Sequence, residues 1–111
     1  MLKPEVLRKK EDFNNLYRRE RSVAGKFVVI FYRKNQLPYN RKAFLASKKV
    51  GKSVQRNRAR RLMKESFRQL ENQMLPGWDL IFIARHTILD SKCADVKKSM
   101  EAAMKKAGIM K

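Results

Sequence analysis

The sequence predicts an α+β fold: a two-layer α/β sandwich, with helices on a small mixed sheet in the order α-β-β-α-β-α. Two short runs dense in β-branched and aromatic residues, Phe27 to Tyr32 and Trp78 to Arg85, read as buried strands. Between them, apolar residues recur at helical spacing from Ala59 to Met74, and a second such repeat runs from Val96 to Ala107. The chain of 111 residues is long enough for one modest core, so residues 1–111 are read as a single domain.

Taken in order, residues 1–6 are expected to be a flexible N-terminus, with Pro4 fixing a non-helical entry or a first helical turn. Lys10 to Arg19 reads as a short helix, because Phe13, Leu16 and Tyr17 fall at i, i+3 and i+4. That stripe has two readings: core packing, or a stacking surface for single-stranded nucleic acid. Ser22 to Arg33 is strand-like, and the α-β-β-α-β-α order as a whole admits an extra short strand that the residues do not place. Lys34 to Asn40 is a polar connection with Pro38 and Asn40 as turn residues. Arg41 to Lys48 resumes as a second strand, and the link of six or seven residues predicts an antiparallel pair.

Gly51 then turns the chain, and Ser53 is the expected N-cap of the long helix. At about 100° per residue, Ala59, Leu62, Met63, Ser66, Phe67, Leu70 and Met74 share one face. Asn57, Arg61, Lys64 and Arg68 lie opposite, Arg60 sits on the flank, and Arg56 falls on the apolar side in the first turn. Leu75-Pro76-Gly77 ends the helix. The strand that follows, through Arg85, is expected to pair parallel with the second strand, and general rules predict a right-handed crossover. His86 to Asp90 reads as a loop, Asp90 or Ser91 as the cap of the last helix, and Gly108 as its stop.

Charge is the departure from ordinary composition. Twenty-eight Lys and Arg against ten Asp and Glu leave a formal +18. Self-repulsion of that size points to a polyanionic partner, nucleic acid before anionic membrane. The longest apolar run, six residues from Phe27 to Tyr32, is far short of the roughly 20 a membrane-spanning helix needs. The first residues lack the apolar core of a signal peptide. One cysteine, Cys93, excludes an internal disulfide framework and fits a reducing compartment, so a cytoplasmic location is expected.

A protein-based active site is not found. His86 is the one histidine and Cys93 the one cysteine, too few for a zinc site. Asp12, Asp79, Asp90 and Asp95 sit where caps, turns and surface positions account for them. Gly51 stands alone, not in a phosphate-binding glycine loop. The stretch Ser47 to Gln69 carries the stronger signal. Its charge is nearly all of one sign, whereas a solubilising helix alternates Glu and Lys. Arginine outweighs lysine between positions 56 and 61, as suits forked hydrogen bonding to phosphate.

That stretch, SKKVGKSVQRNRARRLMKESFR, resembles the signature of the bacterial ribonuclease P protein subunit: Ser-Lys-Lys, a small loop, then Arg-Asn-Arg opening a long basic helix. Leu7 to Phe13, Ser22-Val23-Ala24 and Asp79 to Arg85 resemble further segments of that family in the same order. The resemblance implies a left-handed crossover around the basic helix, against the general rule. It implies a protein cofactor of a ribozyme: the RNA subunit, with bound magnesium, removes the 5′ leader from precursor tRNA. The protein binds that RNA and holds the leader, with no catalytic side chain and no protein-bound metal.

Carried over by position, Lys48, Lys49, Arg56, Asn57, Arg58, Arg61 and Lys64 are expected to face the catalytic RNA, and Lys52, Arg60 and Arg68 complete the basic set. Phe13 and Tyr17 match aromatic positions lining the leader cleft, and Phe27, Val29 and Phe31 lie in the strand forming its floor. The second strand, Lys42 to Ala46, and Tyr17 in place of Phe depart from the family pattern without removing a cation or an aromatic. The rival readings are a ribosomal RNA-binding protein of similar charge, which needs no aromatic leader path, and a stand-alone nuclease, which needs a carboxylate cluster or a histidine acid.

Overall fold

The computed structural model describes residues 21–111. Within them four strands, β1 (Ser22–Ala24), β2 (Val28–Lys34), β3 (Arg41–Leu45) and β4 (Trp78–Ala84), form one sheet. Two helices, α1 (Ser53–Leu70) and α2 (Cys93–Ala107), accompany it, with short 3-10 helices at Glu71–Gln73 and His86–Asp90. The α+β class and the small mixed sheet agree with the sequence. The expected terminus at 1–6 and the helix at Lys10 to Arg19 lie outside the described residues.

The first extended stretch is two strands. Gly25 N–H donates to the Val28 carbonyl at 2.8 Å, reversing the chain so that β1 pairs antiparallel with β2, Val23 opposite Ile30. The strand order is β1-β2-β4-β3, which corrects the expected β2–β3 hairpin. β4 enters between the two, antiparallel to β2 and parallel to β3. The reason lies in composition. Six of the seven residues of β4 are buried, so it needs cover on both faces and neighbours on both edges. β3, Arg-Lys-Ala-Phe-Leu, buries only Ala43 and carries the cations that suit an edge strand. The parallel β3–β4 pair joined through α1 is as expected.

Both helices pack on one face of the sheet. α1 buries Ala59, Met63, Ser66, Phe67 and Leu70, and α2 buries Val96, Met100, Ala103 and Met104. They close over Val28, Ile30, Leu80 and Phe82. Phe44, Phe67 and Phe82 form an aromatic centre, with Phe44 stacked on Phe82 at 5.1 Å and Phe67 edge-on to both. Met74, expected on the helix, lies one 3-10 turn beyond it yet stays in the core. The predicted loop after β4 is the 3-10 helix His86–Asp90, which buries Ile88.

The helix caps differ from expectation by one residue. α1 starts after Lys52, not Ser53, and the Lys52 N–H donates to Gln55 Oε1 at 2.7 Å. α2 starts after Lys92, whose N–H donates to Asp95 Oδ2, whereas Ser91 donates inward to the Ile88 carbonyl at 2.6 Å. In both cases the third helical residue reaches back to the cap, the half of a capping box that needs no hydroxyl at the cap itself. Gly108 ends α2 in the left-handed region at φ +78°, as its position predicts.

Candidate nucleic-acid interface

The turn before α1 is anchored by Val50, a core residue, with Val50 N–H on the Ser47 carbonyl and Gly51 N–H on the Lys48 carbonyl. That anchor leaves Lys48, Lys49 and Lys52 exposed together at the head of the helix. Gly51 adopts φ +145°, and a β-carbon there would collide with the Gln55 side chain that caps the helix. α1 has no acidic residue in its first turn, where a carboxylate would normally offset the positive end of the helix dipole. The helix head therefore combines the positive end of the dipole with three exposed lysines.

Along α1 the outward side chains are cationic. Asn57, Arg58, Arg61, Lys64 and Arg68 are exposed. Arg60 is half-buried on the flank and donates to Asn57 Oδ1 at 2.6 Å, so the amide orients a guanidinium. Arg56 is half-buried too, as its angle predicted; its Nη2 donates to Ser53 Oγ at 3.2 Å, while its Nε is enclosed without a partner. Among the described residues, Arg68 is the one member paired with a carboxylate, Glu65, at 2.5 Å, and that hydrogen bond holds the Glu65 carboxyl below its ordinary range. Among the described residues, the other cations of the set have no carboxylate within ion-pair distance. A patch left unpaired in this way is complementary to a polyanion rather than self-neutralised.

The sheet face turned away from the helices is built in three cross-strand rungs. Val29, Ile83 and Leu45 form the first, and Phe31, Ile81 and Ala43 the second. Arg33, Asp79 and Arg41 form the third. Ala43 and Ile81 are buried here with Phe31, Leu45 and Ile83 packed around them. An apolar floor thus ends in a charged rung. Asp79 is fully buried, not at a turn or surface as its sequence context suggested. It accepts from Arg33 Nε and Nη2, Arg41 Nε and Nη2, and Asn35 Nδ2 at 2.6–3.0 Å. Burial alone would raise its carboxyl, but these donors outweigh it and hold the group below its ordinary value. Sequence reasoning missed this rung; the one signal was a lone carboxylate inside an apolar strand.

The expected leader residues divide. Val29 and Phe31 share the apolar floor. Phe27 instead packs against the helix-side core and lines a separate hollow with His86 and α2. Phe13 and Tyr17 lie outside the described residues. Cys93 is half-buried, with Sγ 3.6 Å from Ser66 Oγ. Among the described residues no three of His, Cys, Asp and Glu converge as a metal-binding group, and no helix is long and apolar enough to cross a membrane.

Comparison with known proteins resolves which basic α+β family this is. The family model described as Ribonuclease P matches residues 1–108. This chain belongs to the ribonuclease P protein family. It is 42% identical over 109 residues to the ribonuclease P protein component of Clostridium botulinum (strain Loch Maree / Type A3), covering 97% of this chain and 98% of that one. With the ribonuclease P protein component of Thermoanaerobacter sp. (strain X514) it shares 43% identity over 100 residues, 90% of this chain and 86% of the relative. The Staphylococcus aureus RNase P protein superposes with a TM-score of 0.86 at 28% identity, over 98% of this chain and all of that one. The RNase P protein from Thermotoga maritima gives 0.82 at 25% identity, over 92% and 96%. Membership ties the chain to the ribonuclease P complex and to tRNA 5′ processing, with the ribonuclease P RNA as its implied partner.

Proposed function

We propose that this chain is the RNA-binding cofactor of ribonuclease P, with two working surfaces. The head and outer stripe of α1, from Lys48 to Arg68, bind the catalytic RNA. The apolar sheet floor, with Val29 and Phe31, takes the 5′ leader of precursor tRNA, Phe13 and Tyr17 completing that path. Bond cleavage belongs to the RNA subunit, which also holds the magnesium. The described part of the protein offers no carboxylate cluster to do so.

The observation that carries the reading is the run of arginines and lysines along α1 that, Arg68 apart, has no carboxylate partner among the described residues. Each such cation placed against a phosphate releases condensed counterions, so binding falls steeply with salt. The rungs beneath Val29 and Phe31 supply apolar and aromatic faces on which bases stack without sequence preference, as a variable leader requires. Reconstitution with a bacterial ribonuclease P RNA at low magnesium tests it. Leader release should rise when the protein is added. An unchanged rate overturns the reading, and cleavage by the protein without RNA would favour a stand-alone nuclease.

A further inference from the structure

A hollow of about 800 Å³ opens between the β1–β2 turn, the 3-10 helix His86–Asp90 and the first turns of α2. It falls within the range of roughly 300–1,000 Å³ typical of ligand sites. It lies apart from both surfaces described above. One wall is Phe27, which packs against the core and carries Lys26 Nζ 5.4 Å from its ring centroid. An exposed lysine hovering over a ring is a loose cover, able to swing to a neighbouring anion.

The polar lining is of two kinds. Thr87, Ser91 and Asp95 are engaged internally: the two hydroxyls donate to the Lys26 and Ile88 carbonyls, and the carboxylate accepts from the Lys92 N–H. Asp90, Lys98 and the Ser99 hydroxyl make no hydrogen bond to another described residue, and they border the same space as Phe27. The acids are informative. In a chain of net charge +18, a hollow with two carboxylates is a poor phosphate trap. An aromatic wall, a free carboxylate and flanking lysines suit a nucleobase: the ring stacks, the carboxylate accepts from an exocyclic amine, and the lysines take the phosphates on either side.

We propose that this hollow, walled by Phe27 and carrying Asp90 and Lys98, is a base-reading pocket for single-stranded RNA that prefers amino-bearing bases over uracil. The proposal rests on the RNA-binding reading above but concerns a surface that reading does not use. Adenine and cytosine present an exocyclic amine to Asp90, whereas uracil has none: its one ring N–H is flanked by two carbonyl oxygens that the carboxylate repels.

His86, the one histidine in the chain, lines the pocket and gives one imidazole Hε1 signal by which occupancy can be followed. Short oligoadenylate, oligocytidylate and oligouridylate are titrated into the full chain, with the His86 signal followed by NMR and total binding by fluorescence anisotropy. The first two should shift His86 saturably, with an affinity about tenfold above that of oligouridylate, the discrimination of one good amine–carboxylate contact. Asp90→Ala should bring the three within about twofold. Phe27→Leu should weaken all of them, with unfolding midpoints of both variants measured to separate binding from folding. Oligonucleotide binding that leaves His86 unmoved, equal affinity for the three, or discrimination surviving Asp90→Ala overturns the pocket. Loss of salt-dependent binding to the ribonuclease P RNA would instead overturn the parent reading, and the two failures are distinct.

Discussion

Arg41 Nη2 lies 2.6 Å from Asp79 Oδ2 across the parallel β3–β4 pair, and the two residues are direct register partners. Arg33, the register partner on the other side, closes on the same oxygen at 2.9 Å. One carboxylate thus ties three adjacent strands together at the polar end of the apolar floor.

Asp79→Asn should remove the charge of the one buried carboxylate that both guanidiniums share. Breaking one partner of a buried ion pair costs about 3–5 kcal/mol, and the partial exposure of both arginines puts this case near 3 kcal/mol. Urea unfolding of the variant should show a lowered midpoint with an unchanged slope.

The same group predicts a pH dependence. Its folded carboxyl is held below the ordinary aspartate value of 3.8, so the unfolded chain binds the proton more readily. Stability from this rung is therefore complete above about pH 4 and is lost as pH falls through the lower, folded value. Stability measured from pH 6 down to pH 2 should fall in the wild type and be flatter through that window in Asp79→Asn.

Arg61→Ala and Lys64→Ala each remove an exposed cation from the outer stripe of α1. Folding stability should change by less than about 0.5 kcal/mol. Affinity for the ribonuclease P RNA should fall, and the slope of its logarithm against the logarithm of salt should decrease by about one per substitution. Unchanged slopes would move the RNA contact off the α1 stripe.

Phe31→Ala opens the apolar floor at its middle rung. Loss of one base-stacking surface is worth about 1–3 kcal/mol, so the preference for precursor over mature tRNA should drop by roughly five- to a hundredfold. Affinity for mature tRNA is the control and should hold. Retained preference would confine Phe31 to packing.

Gly51→Ala forces a β-carbon into the Gln55 side chain and strains a backbone at φ +145°. The Lys52–Gln55 cap is lost with it, and the cost should be about 1–2 kcal/mol. Gln55→Ala, which removes the cap without the strain, should cost about half as much by thermal unfolding.

Periodicity made the elements legible. The stripe Ala59, Met63, Ser66, Phe67, Leu70 and the run Leu80 to Ala84 identify a buried helix face and an interior strand from residue types alone. Which strands become neighbours is not written at that range. The short link between Tyr32 and Arg41 favours a hairpin, and only the two-sided burial of β4, a property of the finished sheet, displaces it. The cations of α1 were legible because their position needs nothing but helix geometry. Asp79 was not, since its partners come from strands 38 and 46 residues away and only the register aligns them. The resemblance puts Phe27, Val29 and Phe31 in one floor strand without saying which of them face the cleft; Phe27 precedes β2 and lines the hollow beside His86.

The central place of β4 has a consequence for how the protein comes into being. β2 and β3 are made early and have no pairing with each other, so a nascent chain that has reached only α1 owns a β1–β2 hairpin, a separate unpartnered β3 and a strongly cationic helix. Until residues 78–84 clear the ribosome, neither the platform under α1 nor the apolar floor opposite it exists. When they arrive, even-numbered residues such as Leu80 and Phe82 complete one side and Ile81 and Ile83 the other in a single event. The two surfaces proposed to meet RNA are thus born together, and a newly made chain cannot offer one in native form without the other.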